Sequence, residues 1–313
     1  MSASSLANMV AASVDLGGTK IYGALLDGTG SALHEYRVPT YVEGTPPLDQ
    51  LIHVIDHLLK QPLRSGQRMV GIGVGVPGIT SRDGESVSFA PALGWTDVPV
   101  RRILRERFAL PVYVENDVNL AALGEYGFGA GQDADSLICI AVGTGIGSGI
   151  VLGGRLYRGH TVSAGEIGYM LPGVDFLGRR YDDFGALEGA ASGTGITRRA
   201  QARLRSIGDE SRAAAITAQD VIAAASAEAW AREVVDETID VLTLCIVNVT
   251  SVLDPEVVIL SGGVMSAADT FIPEIQRRMQ GSLPFIPRIA ASSLGARATT
   301  LGAAQLVLSS QTP

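Results

Sequence analysis

Apolar and polar positions alternate in short runs at the start of the chain. Met9 to Val14 predicts a buried strand, and Lys20 to Leu26 predicts its hairpin partner after a glycine turn. A further turn, Asp27-Gly28-Thr29-Gly30, leads into a third strand. The pattern therefore predicts a sheet that begins with antiparallel strands.

Helical periodicity then alternates with strand patterns. Thr45-Pro46-Pro47 introduces an amphipathic helix that runs to about Lys60, and Met69 to Val76 forms a buried strand. Val100 to Phe108 has a helical pattern, and Val112 to Val114 reads as a short strand. Strands that alternate with helices predict an α/β protein.

The second half repeats the hairpin and then becomes mostly helical. Val118 to Tyr126 predicts a helix, followed by strands at Ser136 to Val142 and Gly147 to Leu152. One more strand is expected at Val257 to Leu260. The remaining helices are expected at Ala186 to Arg205, Thr217 to Ala225, Ala227 to about Leu253, and Thr300 to Leu308.

Two glycine-rich turns of one design join these strand pairs. The first is Asp15-Leu16-Gly17-Gly18-Thr19-Lys20, and the second runs from Gly143 to Gly149. Glycine lets a ligand approach the main chain, and successive N–H groups then form a concavity that binds anions. Thr19 and Thr144 add hydroxyl donors. Either turn alone is typical of an ordinary hairpin, but the pair predicts a duplicated phosphate-binding fold and a nucleotide-dependent enzyme.

The turns do not match the common phosphate-binding motifs. The chain has no G-x-x-x-x-G-K-[ST] segment and no G-x-G-x-x-G that opens a helix. The second turn is followed by the β-branched run Ile150-Val151-Leu152 instead of a helical pattern. We therefore expect phosphate to bind at strand-turn-strand sites.

Composition limits the class of protein. With 313 residues, 46% hydrophobic and 18% charged, the chain is typical of a soluble globular enzyme. Its net charge of −8 argues against sequence-independent nucleic-acid binding, and the basic stretch Arg198 to Arg205 is interpreted as a solvated helix face. No apolar run approaches the ~20 residues that span a bilayer. Without a secretory signal at the start, a cytoplasmic protein is expected.

A polar triplet, Glu115-Asn116-Asp117, lies at a predicted strand-to-helix junction. A carboxylate at the rigid end of a strand is suited to act as a general base, and Asp117 is the best candidate. The alternative is that Asn116 or Asp117 only caps the helix that begins near Val118.

Two further acidic residues, Glu166 and Glu188, lie among small and apolar neighbours. A carboxylate without water needs a hydroxyl or a cation, and sugar hydroxyls are suitable donors. The alternative for both is a bond to a nearby backbone group or arginine.

In this order the motifs resemble those of the ROK family of bacterial sugar kinases, and the resemblance runs from about Val14 to Ala304. It implies a glucokinase-like, ATP-dependent transfer of phosphate to the 6-hydroxyl of a hexose. The motifs that carry it are Asp15 to Lys20, Glu115-Asn116-Asp117, Gly143 to Gly147, Gly165-Glu166-Ile167-Gly168, Leu187-Glu188 and Ser261-Gly262-Gly263-Val264.

The resemblance also implies a fold. It is the duplicated, actin-like or hexokinase-type ATPase fold of ribonuclease H-like units, in which two α/β domains surround a cleft. The smaller domain is expected at 9–117 plus 300–313, and the larger at 118–299. A homodimer is expected from the resemblance alone, with a small-molecule sugar as the ligand.

The resemblance also implies a role for each residue that matches a motif of the family. ATP phosphates would lie at Gly17, Gly18, Thr19, Lys20, Gly143, Thr144 and Gly145, with Mg²⁺ near Asp15 and the adenosine beside Gly262 and Gly263. The sugar would bind at Gly78, Asn116, Asp117, Glu166, Tyr169 and Glu188, and Asp117 would take the proton of the 6-hydroxyl.

One segment departs from the family pattern. Tyr169 stands where many members have a histidine, and the stretch from Leu171 to Leu187 contains no cysteine or histidine. Many members bind a structural zinc there, so a zinc-free variant is expected. Because that histidine commonly touches the sugar, Tyr169 alters the subsite. The preferred substrate therefore stays open between glucose, a β-glucoside and an amino sugar such as kanosamine.

Three rival interpretations remain. A sugar-responsive ROK-type regulator would carry a helix-turn-helix ahead of the first strand, where this sequence has only a few residues. A non-enzymatic actin-type module gives no reason for three carboxylates together. Polyphosphate could replace ATP as donor, although the acidic balance mildly disfavours so anionic a ligand.

Overall fold

Most of the strands lie in the first half of the chain. The computed structural model describes residues 6–181 and 185–311. In chain order the strands are β1 (Met9–Leu16), β2 (Lys20–Asp27), β3 (Ala32–Pro39), β4 (Arg68–Val76), β5 (Ile79–Thr80), β6 (Val87–Ala90), β7 (Trp95–Val98), β8 (Val112–Asn116), β9 (Leu137–Val142), β10 (Ile146–Leu152), β11 (Arg155–Leu156), β12 (Val257–Ser261) and β13 (Arg288–Ala291).

Helices dominate the second half. In the described residues they are α1 (Pro47–Leu59), α2 (Val100–Phe108), α3 (Asp117–Phe128), α4 (Ala186–Ala191), α5 (Gly193–Ser206), α6 (Glu210–Ala215), α7 (Ala218–Ala224), α8 (Ala229–Leu253), α9 (Ala268–Met279) and α10 (Ala298–Ser309). Short 3₁₀ turns lie between several of them, including one at Ile167–Tyr169.

The two large sheets have matching strand orders. The first runs β3-β2-β1-β4-β8 and the second β11-β10-β9-β12-β13. In each, the strand before a glycine turn is central, the strand after it lies on one side, and a parallel strand lies on the other, β4 beside β1 and β12 beside β9. The duplication predicted from the two turns is therefore present in the topology.

The central strand of the first sheet is buried on both faces. Val10, Ala12 and Val14 pack into one apolar cluster, which includes residues of α1. Met9 and Ala11 pack into another, which includes residues of α10. Because alternate side chains point to opposite faces, a strand covered on both sides reads as a continuous apolar run, which explains why β1 was recognisable in the sequence.

The chain divides into two compact units. The first unit comprises Met1–Ala134, Gly149–Ala164 and Ser293–Pro313, and the second comprises Asp135–Ser148 and Gly165–Ser292. The domain bounds expected from the sequence stay a prediction, and residues 312–313 of that expectation lie outside the described part of the chain.

One predicted helix is wrong. The pattern over Ala186 to Arg205 suggests a single helix, but α4 ends and α5 begins on either side of Ser192. The buried Ser192 hydroxyl accepts a hydrogen bond from the N–H of Gly195 at 3.1 Å, which caps the new helix. Gly195 also lies against α4, because a Cβ there would come 2.6 Å from the carbonyl oxygen of Gly189.

Several short elements were not predicted from the sequence. Five strands are too short for an alternation of apolar and polar positions to show, because none has more than four residues. They are β5, β6 and β7, which form a third sheet, and β11 and β13. Helix α9 carries Pro273 inside it, which argues against a helix on local grounds. Within 6–181 and 185–311 no helix is long and apolar enough to cross a membrane.

Candidate active site

The loop between β8 and α3 is built around the amide of Asn116. Its Oδ1 accepts hydrogen bonds from the N–H groups of Val118 at 2.9 Å and Asn119 at 3.1 Å, which caps α3. Its Nδ2 donates to the carbonyl oxygen of Gly78 at 3.1 Å. The capping interpretation is thus confirmed for Asn116. An amide nitrogen carries two hydrogens, so one N–H remains for a ligand.

Asp117 is the first residue of α3 and is half-buried. Its Oδ1 accepts a hydrogen bond from the N–H of Val118 at 2.9 Å, and its carbonyl oxygen accepts one from Thr299 Oγ1 at 3.3 Å. The carboxylate therefore lies at the positive end of the helix dipole, on a backbone fixed at both the strand and the helix.

The preceding residue, Glu115, is fully buried and bonded through both carboxylate oxygens. Oε1 accepts from the backbone N–H of Asn116 at 2.8 Å and from Nδ2 of Asn119 at 2.9 Å. Oε2 accepts from Nε of Arg158 at 2.5 Å. Glu115 thus fixes the loop that carries Asp117. This role was not predictable from local sequence, because Arg158 is remote in the chain.

Asp15, at the end of β1, lies in the same unit as Asp117. Burial, reinforced by the negative charge of Asp117, raises the pKa of Asp15 to about 7. The positive charge of Lys20 lowers this pKa, but by less. Two nearby carboxylates that resist joint ionisation favour a cation between or beside them. Carboxylate oxygens are also the ligands that Mg²⁺ prefers, so this pair fits the predicted magnesium site.

Each glycine turn is closed by its own backbone. Gly17 donates its N–H to the carbonyl oxygen of Lys20 at 3.0 Å, and Gly143 donates its N–H to that of Gly145 at 2.9 Å. These two N–H groups are therefore committed to the turns. The phosphate donors predicted from the sequence are thereby reduced to the remaining turn residues, which include the exposed Thr19 and Thr144.

In the second unit, Glu188 of α4 supports the second turn. Its Oε2 accepts a hydrogen bond from the N–H of Ile146 at 2.7 Å. Glycine at 145 leaves room for this bond, because a Cβ there would lie 2.3 Å from the same oxygen and the carboxylate would have to move. The alternative of a backbone partner is therefore confirmed for Glu188, which leaves its other carboxylate oxygen for a ligand.

Glu166 and Tyr169 precede Glu188 in the chain and belong to the same compact unit. Loss of water around the Glu166 carboxylate, together with the charge of Glu188, raises the pKa of Glu166. The Tyr169 side chain is 65% exposed and ends the 3₁₀ turn that follows Glu166. Two acidic groups and a phenol thus offer acceptors and one hydroxyl to a polar ligand.

A cavity of about 750 Å³ opens next to the second turn. Gly262 has φ +91°, and a Cβ there would lie 2.4 Å from the carbonyl oxygen of Val142, so a larger residue would not fit. The cavity suits a nucleoside in size and in its mixture of apolar and polar walls. Its lining residues are Gly143, Thr144, Gly193, Thr194, Thr197, Arg198, Gln201, Ile216, Thr217, Ala218, Gln219, Gly263 and Val264.

Most of these lining residues were not predicted. Thr197, Gln201 and Gln219 sit on helices α5 and α7, where polar side chains read as solvated faces. Two backbone-directed bonds join α5 to the second turn: Gly193 N–H to the carbonyl oxygen of Gly143 at 2.8 Å, and Thr194 Oγ1 to that of Thr144 at 2.9 Å. Only tertiary contacts of this kind show that the helix borders the cavity.

Comparisons with known proteins give matches over nearly the whole chain. The ROK family model matches residues 11–310. A glucokinase of Halalkalibacterium halodurans is 34% identical, with 94% of this chain and 93% of that protein covered. A putative xylose repressor of Caldicellulosiruptor is 30% identical over 95% of this chain and 77% of its own length.

A solved structure supports the fold. The ROK family glucokinase of Streptomyces griseus in complex with glucose and AMPPNP superposes with a TM-score of 0.76 at 30% identity, over 95% of this chain and 98% of that one. The expected fold class, a duplicated α/β ATPase fold of the actin-like or hexokinase type, is thereby confirmed.

Proposed function

Since the chain belongs to the ROK family and is an ATP-dependent sugar kinase, we propose that it transfers the γ-phosphoryl group of ATP to the 6-hydroxyl of a glucose-like hexose. The glucokinase of S. griseus binds glucose and an ATP analogue on the same fold, which supports this choice of ligands. The observation that carries the proposal is the Asp117 carboxylate, fixed at the start of α3 in the same unit as Asp15.

In the proposed reaction Asp117 is the general base. Its carboxylate accepts the proton of the 6-hydroxyl as the oxygen attacks phosphorus. The bond from Val118 N–H to Oδ1 holds the carboxylate to which we assign this role. The buried Glu115, tied to Arg158, holds the loop against movement. Because phosphoryl transfer depends mainly on positioning, this rigidity matters as much as basicity.

Nucleotide binding is assigned to residues of both glycine turns and to the cavity beside α5 and α7. Thr19, Thr144 and Gly145 are the proposed phosphate contacts. Gly263, which lines the cavity, and the adjacent Gly262 are the proposed neighbours of the nucleoside. When bound beside Asp15, Mg²⁺ supplies positive charge that neutralises the phosphate oxygens during transfer. The positive charge of Lys20 acts on that carboxylate and adds to the same charge balance.

Sugar binding is assigned to Asn116, Glu166, Tyr169 and Glu188. Asn116 has one N–H to donate, and Glu188 has one carboxylate oxygen not used by Ile146. These groups match sugar hydroxyls, which both donate and accept. The exposed Tyr169 is the residue on which we place the choice among glucose, β-glucosides and amino sugars.

The substitution Asp117→Asn tests the assignment. Removal of the base should lower kcat by about 10²–10⁴-fold, because general-base assistance contributes that much. The sugar Kd should stay within a few-fold, since an amide still accepts a hydrogen bond. Turnover would be followed by ADP release and sugar binding by calorimetry.

Asp133→Asn is the matched control, because Asp133 is an exposed aspartate of the same unit. It should leave both quantities unchanged. A kcat near that of the wild type in Asp117→Asn would remove Asp117 from the role of base.

A further inference from the structure

One ion pair joins two parts of the first unit that are far apart in sequence. Glu115 belongs to β8 and stands two residues before the proposed base, Asp117. Arg158 follows the hairpin of β10 and β11, in the segment Gly149–Ala164 of the same unit. The Nε atom of Arg158 donates to Oε2 of Glu115 at 2.5 Å. The hairpin segment is therefore bonded to the strand that leads into the loop of the base.

The Glu115 carboxylate depends on this partner. The residue is only 1% exposed, and its Oε1 accepts hydrogen bonds from two neutral donors, the N–H of Asn116 and the amide of Asn119. Within 6–181 and 185–311, Arg158 is the one cationic side chain at salt-bridge distance from Glu115. A buried charge that loses its partner is strongly destabilising. Arg158 is thus needed to keep this carboxylate charged and in place.

The backbone around Arg158 is bonded on both sides. Before it, the N–H of Tyr157 donates to the carbonyl oxygen of Ile150 in β10 at 2.8 Å. After it, the N–H of Ala164 donates to the carbonyl oxygen of Arg158 at 3.1 Å, which closes a short loop. The side chain of Arg158 is 41% exposed, so one side of its guanidinium group faces solvent. Its position is fixed by the chain and not by burial.

The hairpin of β10 and β11 packs along α3. A Cβ at Gly149 would lie 2.7 Å from the carbonyl oxygen of Val118, and one at Gly154 would lie 2.7 Å from the hydroxyl of Tyr126. The hairpin therefore touches α3 near its start and again two turns later. Through Arg158 the same support reaches the loop that precedes the helix.

On the basis of the proposed kinase reaction, we propose that Arg158 is a positioning residue for the base. It binds Glu115 and thereby holds the loop between β8 and α3 in the geometry in which the Asp117 carboxylate accepts the proton. Arg158 takes no part in the proton transfer. Its effect is on kcat, because phosphoryl transfer depends on the placement of the reacting groups. Lysine is a poor substitute, since it lacks the planar group whose Nε makes this bond.

A cavity of about 240 Å³ in the first unit lies beside the ion pair and makes the proposal directly testable. Because Arg158 both lines this cavity and is partly exposed, its truncation to alanine leaves a space that a small guanidinium ion can enter from solvent. The lining residues are Thr80, Ser81, Arg82, Asp83, Gly84, Arg101, Tyr113, Val114, Glu115, Arg158 and Leu306.

The test is chemical rescue of Arg158→Ala, with turnover of the full-length protein followed by sugar-stimulated ADP release. The kcat should fall by about 10–100-fold, since a displacement of about 1 Å costs that order of rate. The KM for ATP should stay close to that of the wild type, because the cavity assigned to the nucleotide belongs to the second unit. Methylguanidinium at millimolar concentration should raise kcat of the variant several-fold. Methylurea, which is similar in shape but neutral, should not.

Arg155→Ala is the matched control. Arg155 is an exposed arginine of β11, three residues before Arg158, and has no ion-pair partner in the described part of the chain. Its substitution changes the net charge equally. The control should have the kcat of the wild type and should not respond to methylguanidinium.

The double variant Glu115→Gln/Arg158→Ala separates positioning from stability. A glutamine at 115 still accepts from Asn116 and Asn119 through Oε1, and no unpaired charge is buried. Denaturant unfolding should therefore show the double variant to be more stable than Arg158→Ala. Its kcat should nevertheless stay low, because the loop has lost its bond to the hairpin segment.

A kcat of Arg158→Ala equal to that of the wild type, or equal responses to methylguanidinium and methylurea, would overturn the proposal. Recovery of kcat together with stability in the double variant would also overturn it, because Arg158 would then act on stability alone. A wild type in which no sugar stimulates ADP release would instead overturn the proposed kinase reaction and this role with it. The two failures are therefore distinguishable.

Discussion

At the scale of single residues, the loop between β8 and α3 joins a helix cap to the proposed base. The sequence offered capping and catalysis as alternatives for Asn116 and Asp117. In the structure Asn116 caps α3 with one end of its amide and bonds Gly78 with the other. That arrangement fixes the next residue, Asp117, at the start of the helix. Capping therefore supports the catalytic interpretation.

Gly145 shows how tightly the second turn fits Glu188. In Gly145→Ala the new Cβ would lie 2.3 Å from Oε2 of Glu188, so the carboxylate must move away from the Ile146 N–H. The free energy of unfolding should fall by about 1–3 kcal/mol, because a partly buried donor loses its acceptor. Sugar binding should weaken as well. Urea denaturation and calorimetry measure the two effects.

Gly143→Ala is the matched control for stability, because a Cβ at 143 meets no atom within 4 Å. Its free energy of unfolding should change by less than about 0.5 kcal/mol. Equal losses in the two variants would show that any side chain in the turn is harmful and that the contact with Glu188 is not the cause.

At the scale of elements, α3 and α10 approach each other through glycines. A Cβ at Gly302 would lie 1.7 Å from the carbonyl oxygen of Leu120, and one at Gly124 would lie 2.2 Å from that of Ala298. Thr299 of α10 also donates to the carbonyl oxygen of Asp117. The close approach of the two helices thus sets the position of the proposed base.

Gly302→Ala should force these helices apart. We expect a loss of about 1–3 kcal/mol in unfolding free energy, the usual range for overpacking, together with a lower kcat because the loop at Asp117 shifts. Gly173→Ala is the control, since its φ of 175° is extended and a Cβ there meets nothing within 4 Å. A Gly302→Ala protein with wild-type stability would contradict the packing argument.

Helices and strands were predictable where burial imposed an apolar pattern over many consecutive residues. β1, β4 and α1 follow from continuous or amphipathic apolar patterns, and α2 begins and ends at the predicted residues. The break at Ser192 was not predictable, because a buried hydroxyl that caps a helix looks like any serine in a helical run. The short strands from β5 to β7 lack enough residues for a pattern.

At the scale of the whole molecule, duplication was the strongest signal in the sequence. Two similar turns predicted two similar sheets, and the strand orders agree. The cavity beside α5 was not foreseen, since it depends on contacts such as Gly193 with Gly143. The ion pair of Glu115 with Arg158 was missed for the same reason. Local sequence shows the turns, whereas only the folded chain shows what borders them.

The most direct measurement is a coupled ADP-release assay over glucose, mannose, fructose, β-glucosides, N-acetylated hexosamines, glucosamine and kanosamine, with the products identified by ³¹P NMR. We predict that one hexose or hexose derivative stimulates ADP release and emerges phosphorylated at its 6-hydroxyl. ADP release that no sugar stimulates, or a product phosphorylated at another hydroxyl, would contradict the proposed function.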